Sequence, residues 1–442
     1  MRTGEGRAVD MDAGSPARSG EEARAGEIQN RRDPDAVEHM SIGGRRIDSV
    51  DLLRGIVMVV MLLDHTRDFV HSEGFRFDAA DITRTWPLLF LTRWVTHFCA
   101  PIFVFLAGTG VYLQVLRGKP KKEVSRFLVT RGLWLIVLEF TVVRLGVFFT
   151  LDYGSLIGFM QVIWVIGVSM IILAGLIHLP LRAVVWIGLV MIVGHNILDE
   201  LSVQGWRGPG TPIPGFGASL WIILHQGGLF FPLGADGPPI IVLYPLIPWI
   251  GVMAVGYAFG AVYRLDSAER RRWLLRNGVA LTIGFVLLRA VNFYGDPDRW
   301  SVQPSAVMTV LSFLDTTKYP PSLLFLLMTL GPALVFLGLF DRVKAAGFAR
   351  PMITFGRVPM FFYLLQWPVA HGGAVLGSMV AGRSYAHLFG SPLGGTPPAP
   401  DAGFNLGVVY LFWIGGTLLL YPLCRWYADL KATGRYSWLS YL

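Results

Sequence analysis

The feature that most constrains the fold is a series of apolar runs, each about as long as a bilayer is thick. A transmembrane helix needs about 20 consecutive, mainly apolar residues, and such runs recur along the chain after residue 45. Hydrophobic residues make up 53% of the 442 residues and charged residues 15%, whereas about a quarter of a soluble domain is charged. The sequence therefore predicts an all-α protein, a polytopic integral membrane helical bundle.

About ten spans are predicted, each with boundaries defined to within a few residues. They cover residues 50–70, 91–116, 127–149, 157–178, 183–199, 240–263, 274–292, 321–341, 357–379 and 404–423. The fifth is short enough to be a partial span. Residues 218–231 are too few to cross a bilayer and are predicted to form a re-entrant or interfacial helix.

The distribution of Lys and Arg predicts that both termini are cytoplasmic. With the N-terminus inside, the inner loops include residues 117–126, 264–276 and 341–350, which are rich in basic residues. The outer loops, which include 200–239 and 380–403, contain fewer Lys and Arg over more residues, as the positive-inside rule requires. These two loops are also rich in Gly and Pro. Residues 1–45 contain hardly any large apolar side chain, so we expect a disordered cytoplasmic tail. Residues 46–442 then form one transmembrane domain.

The first predicted span carries ionisable residues at membrane depth: Asp51, Arg54, Asp64, His65 and Asp68. Such groups cost several kcal/mol unless they are paired or hydrated, so they indicate a functional site. On a helix, Arg54 and His65 lie within about 20° of each other and about 16 Å apart. Asp51 and Asp68 fall on the same side, where simple snorkelling towards the membrane surface would also explain them.

Two motifs in this region resemble a known family. SVDLLRG, followed by an apolar run into DH, and APIFVFLAG in the next span resemble the bacterial membrane family that shares a catalytic domain with heparan-alpha-glucosaminide N-acetyltransferase. Arg54 and His65 also resemble the arginine–histidine motif of the acyltransferase-three membrane family. The resemblance is densest over residues 46–116 and extends more loosely to TKYPPSLLF and FGRVPMFFYLL.

The resemblance implies a multi-pass acyltransferase of the bacterial inner membrane. Its donor would be acetyl-CoA or another acyl-CoA from the cytoplasm, and its acceptor a hydroxyl or amino group of a sugar or glycan outside. The bilayer, the donor and the acceptor are thus its expected partners. The sequence is compatible with a monomer or a homodimer, and the identity of the acceptor stays open.

The chain departs in two places from the pattern of heparan-alpha-glucosaminide N-acetyltransferase, which is a lysosomal enzyme. There the catalytic histidine follows the first helix, which makes His71 the nearest match and a rival to His65. His97 stands four residues before Pro101, where the resemblance implies an acidic residue. Pro101 itself predicts a kink in the second span.

The first-span residues suit acyl transfer, which needs a base for the acceptor's proton and positive charge for the oxyanion. His65 has a suitable ordinary pKa and is the predicted base, or carries the acyl group covalently. Asp64 or Asp68 would orient it, and Asp68 is the better placed because it lies three residues further along the helix. His71 is the alternative base.

Basic residues near the inner face are the candidates for binding the CoA phosphates. They are Arg54, Lys121, Arg126 and Arg131, although membrane topology alone accounts for the loop residues. Further polar residues within or beside spans are predicted to line the substrate path: Asp51, His97, Lys318 and Arg357.

Several other function classes find no support in the sequence. There is no zinc-ligand spacing, no phosphate-binding glycine loop and no aromatic–basic RNA motif, so neither a metal nor a nucleic acid is predicted. Cys99 and Cys424 are isolated. The rival interpretation is a proton- or ion-coupled transporter, in which buried ionisable groups form the path. Transporters are often built from internal repeats. The sequence contains no second copy of the first-span pattern, so a transporter is the less favoured interpretation.

Overall fold

The computed structural model describes residues 47–442 except 75, 209, 344–345, 391–392, 394, 436–438 and 440–442. The predicted disordered tail, residues 1–45, lies outside the described residues. The described chain is a bundle of helices with a small sheet at one end of an internal cavity. The predicted helical, multi-pass membrane class is confirmed.

The first half of the bundle runs from residue 48 to residue 200. Its helices are α1 (Asp48–Val70), α2 (Pro87–Thr96), α3 (Cys99–Leu116), α4 (Lys121–Leu138), α5 (Arg144–Phe148), α6 (Val162–Leu176) and α7 (Leu181–Val193). A π-helical turn, Glu139–Val143, joins α4 to α5, and a 3-10 turn, His195–Glu200, follows α7.

The second half contains α8 (Phe216–Trp221), α9 (Leu246–Phe259), α10 (Ser267–Val291), α11 (Ala306–Leu314), α12 (Leu323–Phe340), α13 (Ala349–Arg357), α14 (Pro359–Val380) and α15 (Leu406–Ala432). A π-helical turn, Ile222–Gln226, follows α8. Two 3-10 turns, Gly260–Arg264 and Ala386–Leu388, follow α9 and α14.

Six helical segments among the described residues are long and apolar enough to cross a membrane: Pro87–Leu116, Leu181–Glu200, Leu246–Arg264, Ser267–Val291, Leu323–Phe340 and Leu406–Ala432. The other predicted spans coincide with α1, with α4 and α5, with the 15-residue α6, and with α14. A count of ten spans and cytoplasmic termini stay predictions.

The second predicted span, in which a kink at Pro101 is expected, is interrupted just before that proline, between α2 and α3. α2 ends at Thr96 and α3 begins at Cys99. Pro101 therefore lies in the first turn of α3, where the N–H that proline lacks would have no partner within the helix.

α1 packs at the centre of the bundle, against α2, α3, α12, α13, α14 and α15. Its crossing with α13 brings the two backbones into contact. A Cβ on Gly55 would lie 1.7 Å from the carbonyl oxygen of Met352, and one on Gly356 would lie 1.8 Å from that of Asp51. Such close approach requires glycine on both helices.

Three short strands form a sheet that the all-α prediction missed. They are β1 (Gly158–Met160), β2 (Gly228–Phe230) and β3 (Ile240–Val242), in the order β1-β3-β2. β3 pairs parallel with β1 and antiparallel with β2. Strands of three residues are too short to show a period of two. Residues 218–231, predicted as one short helix, contain most of α8, the π-helical turn and β2.

Candidate active site

A cavity of about 430 Å³ lies beside the C-terminal half of α1. Five residues that the sequence analysis selected line it: Asp64, His65, Asp68, His71 and Lys318. Phe159 and Ile241 of the sheet line the cavity as well. Most of the residues predicted to take part in catalysis therefore line the same cavity.

Asp64 is held by two arginines, neither of which was predicted as a site residue. Nη1 of Arg93 in α2 donates to both carboxylate oxygens, at 3.0 and 2.9 Å. Nη1 of Arg67 lies 2.9 Å from Oδ1, and the Thr96 hydroxyl donates to the same oxygen at 2.8 Å. This carboxylate is therefore fully engaged in joining α1 to α2.

Asp68 is paired as well, which corrects the expectation that it orients His65. Nη2 of Arg67 donates to Oδ1 of Asp68 at 2.6 Å. A guanidinium carries a full charge and several donors in a fixed fork, so it outcompetes a neutral imidazole for a carboxylate. Within the described chain, neither Asp64 nor Asp68 forms a hydrogen bond with His65.

His65 lines the cavity with its ring against Trp367 of α14. The ring centroids are 3.8 Å apart and the planes are inclined by 38°. Among the described residues, neither ring nitrogen has a hydrogen-bond partner. The imidazole is therefore positioned by packing and keeps a lone pair available to a molecule in the cavity.

His71, the rival base, is placed differently. It follows α1, and its Nδ1 accepts the backbone N–H of Glu73 at 3.2 Å. A neutral ring with that bond carries its proton on Nε2. Burial, together with the positive charge of Arg67, lowers the pKa of His71, which favours the neutral form. Its Nε2 is therefore a hydrogen-bond donor, with no lone pair to take a proton.

Lys318 brings a positive charge to the same cavity. Its Nζ lies 5.3 Å from the ring centroid of Tyr319, and no carboxylate of the described residues forms an ion pair with it. Asp296 fixes the segment on both sides of the lysine. It accepts from the hydroxyls of Thr317 at 2.8 Å and Ser322 at 2.6 Å.

A second cavity of about 270 Å³ contains two of the basic residues predicted to bind CoA, Arg54 and Arg131. Arg54 donates to Oδ1 of Asp51 at 3.1 Å and to the carbonyl of Gly356 at 3.3 Å. The rest of the lining is mainly apolar and comes from α1, α3, α4, α6 and α14.

The two cavities meet at three side chains that line both: Met61, Val162 and Tyr363. We call these three side chains together the neck. Met61 comes from the stretch of α1 between Arg54 and His65, Val162 from the start of α6 and Tyr363 from α14. The predicted polar stripe of the first span thus connects two adjoining spaces.

Five predicted residues line neither cavity. Asp51 is buried and accepts the hydrogen bond from Arg54 described above. Lys121 and Arg126 are exposed on α4. His97 is buried, with its ring 5.5 Å from that of Phe325. Arg357 lies at the opposite end of α1 from His65, where its Nη2 is 3.4 Å from a carboxylate oxygen of Asp48.

Some cavity residues were missed, and the sequence held a signal for two of them. Arg67 stands three residues after Asp64, and Arg93 lies inside an apolar run, so the buried carboxylate required such partners. Trp367, which lines the cavity, gave no signal because it has the sequence context of a core aromatic residue. Asp296, which holds the Lys318 segment without lining the cavity, gave none because it lies in a polar loop.

The comparison with protein families agrees with the resemblance described in the sequence. The family model described as "Heparan-alpha-glucosaminide N-acetyltransferase, catalytic" matches residues 46–289, more than half of the chain. No curated protein matches the chain. The matched region contains the Asp64–Arg93 pair and His65, whereas Lys318 and Trp367 lie beyond it. The chain belongs to the membrane acyltransferase family that shares the heparan-alpha-glucosaminide N-acetyltransferase catalytic domain.

Proposed function

We propose that the protein transfers an acyl group, in the first place acetyl, from cytoplasmic acyl-CoA to a hydroxyl or amino group of a sugar on the extracytoplasmic side. The observation that carries this proposal is the pair of adjoining cavities. One contains Arg54 and Arg131, and the other contains His65 and Lys318.

The second cavity suits the donor. Arg54 and Arg131 are charge partners for its phosphates, and the apolar lining suits the pantetheine arm. Lys121 and Arg126 add positive charge on α4. A thioester at the end of that arm would pass the neck and reach the cavity of His65 while the nucleotide stayed behind.

His65 is the proposed general base. Its unpaired ring nitrogen takes the proton from the acceptor as the acceptor's oxygen or nitrogen attacks the thioester carbonyl. The new acyl–oxygen or acyl–nitrogen bond forms and the carbon–sulfur bond breaks. The proton then passes from His65 to the leaving thiolate, so the ring returns to its neutral state.

Lys318 and the Nε2–H of His71 are proposed to stabilise the oxyanion that forms on the thioester carbonyl. Both are donors in a largely buried site, where such interactions have a large effect on rate. Arg67 and Arg93 have a different task, since Asp64 and Asp68 already engage them. Arg93 keeps α1 and α2 together around the site, and Arg67 holds the two carboxylates of α1 in place.

The function is tested with everted membrane vesicles that enclose cell-envelope glycans. Labelled acetyl-CoA is added outside, where the cytoplasmic face of the protein is exposed. We expect label on the enclosed glycan with the wild-type protein and background levels with His65→Ala. His178→Ala, which changes an exposed histidine away from both cavities, serves as the matched control.

A folded wild-type protein that leaves every offered glycan unlabelled and consumes no acetyl-CoA would contradict the proposal. If the same vesicles showed a His65-dependent proton or ion flux instead, the transporter interpretation would replace it. Label that appears only on acceptors outside the vesicles would keep the transferase and overturn the proposed sidedness.

A further inference from the structure

Two histidines and an aspartate meet outside both cavities. His195 and Asp199 belong to the 3-10 turn after α7, and His225 belongs to the π-helical turn after α8. Each offers one potential ligand atom, and the three atoms lie within 4.8 Å of one another. None of the three residues lines the cavities described above.

The two histidines of this cluster are buried, and Asp199 is partly buried. His195 is 1% exposed, and neither ring nitrogen forms a hydrogen bond of ordinary geometry among the described residues, although the carbonyl of Pro321 is close. A buried polar atom without a partner costs about 1–3 kcal/mol. A bound cation would remove that cost.

Contacts with neighbouring residues already orient the side chains of this cluster. Asn196 donates through Nδ2 to Oδ2 of Asp199 at 2.7 Å, which leaves Oδ1 facing Nε2 of His225 at 3.5 Å. Trp221 stacks on His225 with the centroids 5.0 Å apart and the planes 14° apart. Hydrogen-bonded and packed outer groups of this kind are what hold metal ligands in position.

We propose that His195, Asp199 and His225 bind one divalent transition-metal ion, with Zn²⁺ the best match. Two imidazoles and one carboxylate form a three-ligand zinc set that leaves a fourth position for water. Zinc–nitrogen bonds of about 2.0–2.1 Å in a tetrahedron place ligand atoms about 3.3 Å apart. Side-chain rotation would bring the three atoms that close. Nε2 of His225, now 3.0 Å from the carbonyl of His195, would exchange that contact for the metal.

The metal would join separate segments of the chain. It would hold the turn after α8 to the turn after α7. Asn196 extends the connection, because its Oδ1 accepts the backbone N–H of Leu323 at the start of α12. The site therefore acts as a cross-link in the part of the chain that leads from Lys318 into α12. The sequence shows no zinc-ligand spacing here because His225 lies far along the chain from the other two residues.

The test uses the full-length protein in detergent, without an affinity tag and stripped with a chelator. Co²⁺ is titrated in as a spectroscopic probe, and Zn²⁺ is then added in competition. We expect one Co²⁺ per chain with visible absorption, displacement by Zn²⁺, and a higher unfolding temperature with either metal, because a ligand that binds only the native state stabilises it. His225→Gln and Asp199→Asn should each weaken binding at least about tenfold, and His178→Gln should not.

Asp199→Asn decides the question if His225→Gln does not fold, because an amide has nearly the shape of a carboxylate. The proposal is wrong if the wild-type protein binds no stoichiometric Co²⁺ or Zn²⁺. It is also wrong if Asp199→Asn binds the metal as the wild-type protein does. In either case the cluster is a hydrogen-bonded contact only.

Discussion

Single residues in the first cavity differ mainly in whether their charge already has a partner. The charges of Asp64 and Asp68 are neutralised by ion pairs with Arg67 and Arg93. This pairing allows the charged groups to lie largely out of contact with water. His65 and Lys318 have no such partner among the described side chains. A molecule that enters the cavity therefore meets an imidazole and an ammonium group that have no charge partner among the described residues, beside carboxylates and guanidinium groups that are already paired.

Replacement of His65 tests the assignment of the base. We expect His65→Ala to keep acyl-CoA binding and to lower turnover at least about a hundredfold, because loss of a general base typically costs 10²–10⁴-fold. His71→Ala should cost clearly less, since its Nε2 only donates. The measurement is turnover of labelled acetyl-CoA at matched expression. An inactive His71→Ala beside an active His65→Ala would exchange the two roles.

Arg54 tests the position of the donor. We expect Arg54→Ala to weaken acyl-CoA binding several-fold, because the variant removes a basic residue of the second cavity that could pair with a phosphate. Binding is measured by equilibrium titration in detergent. Lys119→Ala, which removes an exposed charge from the loop between α3 and α4, is the control for general electrostatic attraction. Equal affinity of Arg54→Ala and the wild-type protein would remove Arg54 from the donor site.

The sequence identified the candidate site residues of α1 better than it identified their partners. Asp64, His65 and Arg54 were recognisable because an ionisable residue inside an apolar run is conspicuous. Their pairing was not, because it depends on which helices pack together. Arg93 approaches Asp64 from α2, and Trp367 reaches His65 from a helix about 300 residues away.

Among whole elements, the crossing of α1 with α13 controls the geometry of both cavities. α1 carries Arg54 to one cavity and His65 to the other, so a shift of this helix moves both sites. Gly55 and Gly356 hold the two backbones in contact. Apolar runs predicted the positions of the main helices, whereas the three-residue strands and the glycine contacts depend on tertiary packing and had no local signal.

Gly356→Ala tests the importance of this crossing. The added Cβ would lie 1.8 Å from the carbonyl oxygen of Asp51, so the helices must separate. Overpacking of this kind costs about 1–3 kcal/mol. We expect a lower unfolding temperature in detergent and weaker acyl-CoA binding.

Gly284→Ala in α10 is the matched control. Nothing lies within 4 Å of its Cβ position, so alanine should be neutral or slightly stabilising through its higher helix propensity. If the two alanine variants unfolded at the same temperature, the α1–α13 contact would not be the constraint described here.

Across the whole molecule, the proposed reaction requires a fixed orientation in the membrane. The Lys and Arg distribution predicts residues 117–126 and the C-terminal end inside, and residues 200–239 outside. A fluorescent reporter at the C-terminus should be active in the cytoplasm, and a periplasm-dependent enzyme fused there should be inactive. The reverse pattern would overturn both the ten-span count and the direction of transfer.

The neck between the cavities has an electrical consequence. A cell maintains a voltage across its membrane, and each 100 mV drives an elementary charge with about 2.3 kcal/mol. An open, hydrated channel from Arg54 to His65 would short-circuit that voltage whenever the donor is absent. Met61, Val162 and Tyr363 place mainly apolar surface at the junction, and such a constriction resists wetting. In the proposed reaction, this junction would admit a thin acyl-carrying arm and still insulate the membrane.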